Sequence, residues 1–343
     1  MKRERWIDIT KCIAIIAVLV DHLYTRAYHS EIILKSTYLS VGLFVLTQGF
    51  STYLSYKESK VPLYKKVFVR ILEIFIPYVL ATFICLVVLY KKFDIRQFIF
   101  SIVNFNATGP YYYVCLYIQL VLVSPVIFII IKRINMTKYP GITKIMFMIG
   151  ILIISYLTST YTQINESYGG GSKLLGGSYL ILLCIGMFFG DSYSKIRKIE
   201  KTASTKQIII CLIIAAGNLY YICKYGFNYL NIDIFGSGLN PPGLPIIIYA
   251  VAVFAAIVLI SVRCNDIIQC SKLIDIMCYV GKHTLYIFLY HEIVLIIVDS
   301  YICNMNIWIK RVGYMSIMLA VPLVLDNIIA IIRRNQKLLY KSI

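Results

Sequence analysis

The chain has 343 residues, of which 59% are hydrophobic and only 15% charged, with a mean hydropathy of +0.78 and a formal net charge of +18. This composition excludes a soluble globular domain, which carries less apolar and more charged sequence. It also excludes nucleic acid as the partner of the basic charge, because Lys and Arg sit in short segments between apolar runs, where they orient helices and meet the headgroups of a lipid bilayer.

Backbone groups in the bilayer core must pair internally, and long unbroken apolar runs select helices over barrel strands. The expected fold is therefore all-α, a polytopic transmembrane bundle of about ten helices, with residues 1–343 forming one membrane domain and no soluble domain. Runs long enough to span fall at about 7–26, 37–56, 69–90, 111–131, 142–160, 174–190, 207–223, 244–262, 277–299 and 312–332. Gly, Pro and Asn punctuate the chain between several of them, at 106–110, 169–177 and 236–245.

The first run opens with Lys2, Arg3 and Arg5, like a signal peptide, but Asp21 and His22 follow Val20 where a cleavage site of small residues belongs. An uncleaved helix is expected. Asp8, Lys11 and His22 lie within it. Lys11 and His22 are eleven residues apart, which places them about 20° apart around the axis and about 16 Å apart along it. They share a face but cannot touch, so they act at different depths. Asp8 and Lys11, three apart, can pair locally. On periodicity alone these groups also suit interfacial anchoring. His29 reads as a surface histidine.

At the mouth of the third run stand Lys65, Lys66 and Arg70, with Glu73 one turn deeper. Such a cluster suits phosphates, and it equally suits a topology determinant. Most of the ten cysteines lie inside apolar runs, where a thiol fills space; there is no CxxC, and Cys264 and Cys270 have no neighbouring His, so no metal site is expected. A disulfide between Cys223 and Cys303 is conceivable but is not decided by sequence. In the ninth run, His291 precedes Glu292, and a straight helix starting near 277 places His291 about 21 Å deep, comparable with His22. His283, beside Lys282, reads as interfacial. Alternate connections carry 21 and nine Lys or Arg residues, which puts both termini in the cytoplasm.

Five segments in order resemble the acyltransferase 3 family of bacterial membrane acyltransferases: RWIDITKCIAIIAVLVDH, VGLFVLTQGF, VRILEIFIPY, YYYVCLYIQLVLVSPVIF and GKHTLYIFLYH. The resemblance implies a cytoplasmic-membrane enzyme that moves an acyl group, acetyl by default, from acyl-CoA to a hydroxyl of an envelope or exported glycan. It implies His22 as the catalytic histidine, with His291 orienting the acceptor or stabilising the oxyanion. The donor phosphates would bind Lys11, Lys66 and Arg70, and Asp8, Asp21 and Glu73 would support these groups. No permanently bound cofactor is implied. His22 acting as a base and His22 carrying the acyl group both remain open. The chain departs from the family pattern at Lys11 and Glu73, where arginines are usual, at Gln48 and Thr284 for serines, and at Tyr111 or Tyr112 for a tryptophan. A small-molecule or acyl-group transporter, or a non-catalytic component of an envelope-polymer machine, are the rival readings.

Overall fold

The computed structural model describes residues 4–90, 94–160, 173–198, 204–229, 238–264, 268, 271–302 and 305–342, and among these there are helices but no strand. In chain order they are α1 (Arg5–His22), α2 (Glu31–Thr37), α3 (Ser40–Lys57), α4 (Leu63–Tyr90), α5 (Ile95–Asn104), α6 (Tyr112–Ile134), α7 (Pro140–Thr160), α8 (Tyr179–Lys198), α9 (Thr205–Tyr225), α10 (Leu244–Arg263), α11 (Lys272–Lys282), α12 (Thr284–Ile302) and α13 (Ile307–Ser342). Cys270 and Cys303 lie outside the described residues, and with Cys303 the suggested pairing to Cys223.

Each of the ten expected runs is helical, and the protein is a multi-pass membrane protein. Seven spans are long and apolar enough to cross a bilayer alone: α2 with α3, α4, α6, α7, α9, α10 and α13. The bent pair of α11 and α12 supplies an eighth, and the described apolar part of α8, Tyr179–Tyr193, is shorter. α1 carries Arg5, Asp8, Lys11 and Asp21, too much charge to face lipid. It is instead wrapped by α3, α10, α11 and α12, with residues from Trp6 to Leu19 buried on several sides. Its charges therefore meet protein rather than acyl chains.

The extensive packing of α3 on α8 depends on glycine. A Cβ on Gly49 would lie 2.3 Å from the Leu183 carbonyl oxygen, and one on Gly186 would lie 2.2 Å from that of Leu46. In lipid, small residues that let backbones touch are the principal source of helix association, because apolar side chains gain little by leaving acyl chains.

The start of α1 meets α3, the end of α8 and the start of α11, and the end of α6 lies beside α8. Trp6 packs on Phe50 and donates to the Tyr193 hydroxyl. Arg5 pairs with Asp275, and Asp191 accepts from Tyr53, Asn135 and Lys144. The helix ends rich in Lys and Arg thus gather at one end of the bundle.

The ninth run corrects a sequence expectation. It is not one helix from 277 but two, meeting at His283 with a bend of 75°. His283 itself, at the bend, is partly buried, its Nδ1 2.5 Å from Asp326 Oδ2. Gly281 lies against the Asp8 backbone, so α11 is pinned across α1 and cannot continue in line with α12. His291 is therefore seven residues into α12, about 10 Å from its start.

Candidate active site

A cavity of about 300 Å³ opens between α1, α3, α4, α6 and α12. Lys11, Gln48, Arg70 and Glu73 give it polar walls, and Tyr113 and Phe288 are among its apolar ones. Lys11 reaches it because α1 is buried in the bundle. Arg70 is fixed at its edge, donating to Thr52 Oγ1 (2.5 Å) with its guanidinium carbon 5.3 Å from the centre of the Tyr56 ring. With Lys11 and Arg70 against Glu73, the cavity wall keeps a net positive charge that suits an anionic group.

Lys66 does not line this cavity. Its ammonium donates to the Ser55 carbonyl (2.6 Å) and hydroxyl (3.0 Å), which ties the start of α4 to the end of α3. Asp8 likewise lies outside it, 2% exposed and packed at the α1–α11 contact.

From the cavity a row of aromatic rings leads toward the far end of α1. Phe44 and Tyr113 have ring centres 6.0 Å apart, Tyr113 and Phe288 5.0 Å, Phe288 and His291 5.8 Å, and His291 and His22 4.9 Å. The two histidines expected at similar depth are thus neighbours. The bend at His283 alters the length of the path but not this meeting. Tyr111, in the 3-10 turn before α6, steadies α12 there by donating to the Leu289 carbonyl (2.9 Å).

His291 is fully buried and its Nδ1 lies 2.6 Å from the Phe288 carbonyl. A carbonyl only accepts, so Nδ1 carries the proton, and in the neutral ring Nε2 is an acceptor. Neutral His291 can therefore receive a hydrogen bond from a substrate hydroxyl but cannot donate one to an oxyanion. His22 is 29% exposed at its side chain, which leaves it open to a substrate.

The carboxylate beside His22 is Glu292, with Oε2 3.4 Å from His22 Nδ1. Asp21, the sequence neighbour, accepts from the Thr37 hydroxyl at 3.1 Å instead. Glu292 went unassigned in the sequence. Adjacent positions on a helix point about 100° apart, so nothing in the string indicated that Glu292 and His291 would both reach His22. His29 is exposed, as expected.

The family model described as an acyltransferase domain matches residues 4–327, nearly the whole chain. No curated protein and no solved structure matches it.

Proposed function

The chain belongs to the acyltransferase 3 family and is a membrane acyltransferase, and from that premise we propose that it transfers an acetyl group from acetyl-CoA to a hydroxyl of an envelope glycan. The enzyme sits in the bacterial cytoplasmic membrane with both termini in the cytoplasm, a topology supported by the gathering of basic helix ends at one end of the bundle. The observation that carries the reading is the pairing of two sites at the ends of one path. A cationic cavity holds Lys11 and Arg70, and a row of aromatic rings joins it to His22, His291 and Glu292.

The donor enters from the cytoplasmic end. Its phosphates lie against Lys11 and Arg70, with Lys66 bracing the mouth, and its pantetheine arm carries the thioester past Phe288. The reacting glycan hydroxyl arrives from the other end and donates its hydrogen bond to His22, while a neighbouring hydroxyl of the same sugar donates to His291 Nε2 and orients it. His22 takes the hydroxyl proton as the oxygen attacks the thioester carbonyl carbon, and Glu292 offsets the charge of the imidazolium. The C–S bond then breaks, the ester forms, and the proton passes from His22 to the departing thiolate, which leaves as free CoA.

The test is replacement of His22 by Ala, with membrane insertion confirmed and O-acetyl groups on extracted envelope glycan compared with a deletion strain. General base catalysis contributes about 10²–10⁴-fold, so a loss of that size is expected. Unchanged acetylation in the variant removes His22 as the base. Unchanged acetylation in the deletion removes this acceptor.

A further inference from the structure

We propose that His22, His291 and Glu292 also form a binding site for a divalent cation of zinc type, and that the bound cation holds acyl transfer off. Each residue offers a ligand atom, and the three atoms lie within 4.8 Å of one another. His22 Nδ1 and Glu292 Oε2 are 3.4 Å apart, the edge length of a tetrahedron whose arms are about 2.1 Å, as in zinc sites. Side-chain rotation would have to shorten the remaining separations, which are at most 4.8 Å, to complete the set.

Two further observations point to a ligand. His291 Nε2 and Glu292 Oε2 are both buried without a hydrogen-bond partner, and a bound ion is one of the explanations such orphaned atoms call for. His291 is also held as metal-bound imidazoles are held, with the second ring nitrogen donating to a carbonyl, here that of Phe288. This fixes the tautomer that leaves Nε2 free for a metal.

The donor set selects the ion. Two imidazoles and one carboxylate suit zinc and its neighbours, whereas calcium and magnesium favour sets made of oxygen and copper(I) favours sulfur. A fourth position is left for water or a substrate hydroxyl, and the side chains of His22 and Glu292 are 29% and 21% exposed. Neutral imidazole has a single lone pair. A cation on His22 Nδ1 leaves Nε2 protonated, so the ring accepts no proton while the metal is bound. This consequence rests on the reading of His22 as base; binding itself does not.

The full-length protein, purified in detergent and stripped by a chelator, is titrated with Co²⁺ while its visible absorption is followed, and Zn²⁺ uptake is measured by equilibrium dialysis. One equivalent per chain with a tetrahedral Co²⁺ spectrum is expected. Glu292→Gln and His291→Gln should each weaken binding by at least about tenfold, the lower bound of losses seen even for outer-shell changes. Absence of binding, or unchanged affinity in both variants, overturns the proposal. Because His291 is sealed in the bundle and its variant can misfold, Glu292→Gln and His22→Gln at the partly exposed positions give the same comparison in monodisperse protein. In the transfer assay, inhibition by Zn²⁺ that a chelator reverses supports the site and the base together. Stoichiometric Zn²⁺ binding with undiminished transfer supports the site and removes His22 from the proton transfer.

Discussion

His22 acquires its surroundings from α12, which brings His291 to 4.9 Å between ring centres and Glu292 to 3.4 Å. An imidazolium formed during transfer is stabilised by a carboxylate at that distance, and more strongly in a partly desolvated site than in water. Glu292→Gln keeps the shape and removes the charge, so kcat should fall while KM for acyl-CoA stays unchanged, as steady-state kinetics on membranes can test. Arg70→Ala should act on the other parameter. A charge-assisted hydrogen bond contributes about 1.5–3 kcal/mol, which corresponds to a rise of roughly tenfold to a hundredfold in KM for acyl-CoA. Lys66→Ala should raise KM far less, because the ammonium is already bonded to Ser55. Equal effects at Arg70 and Lys66 would mean that the phosphates sit at the mouth and not in the cavity.

At the scale of elements, the site depends on two close backbone approaches. Gly281 against Asp8 sets α11 across α1 and forces the 75° turn into α12. Gly186 against Leu46 brings α8 onto α3, which carries Gln48 and Thr52 to the cavity. Adding side-chain volume at Gly186 leaves no room for relief, since the atom met is backbone. Gly186→Val should therefore destabilise the bundle by at least the 1–3 kcal/mol typical of overpacking (about that range), read as a lower unfolding temperature in detergent. Phe288 has a different part. Its ring lines the cavity while its carbonyl holds His291, so Phe288→Leu should keep the carbonyl contact and open the path. The expected result is increased use of propionyl-CoA relative to acetyl-CoA in a donor competition assay, and an unchanged ratio counts against passage of the thioester at this ring.

For the whole molecule, the charge bias of the connections predicts that a fluorescent protein fused after residue 343 is bright in the cytoplasm, whereas a reporter active only outside the membrane is silent there. Much of the architecture was legible in the string because lipid imposes a local rule. Every spanning segment must be apolar over its own length, and the ten expected runs fall on helical segments, the ninth of them broken in two. Lys11 and His22 on one face of α1 followed from helical geometry within a single continuous element, and the family followed from the order of five short segments. The positions of the remaining groups depended on contacts between segments far apart in sequence. Glu292 reaches His22 because of where α12 lies, Lys66 turns to Ser55 because α3 ends beside α4, and the ninth run breaks because Gly281 meets α1. Hydropathy and periodicity describe a residue relative to its own helix axis and so fix spans, faces and depths. Which face meets which is decided by packing between helices, and only the tertiary structure records it.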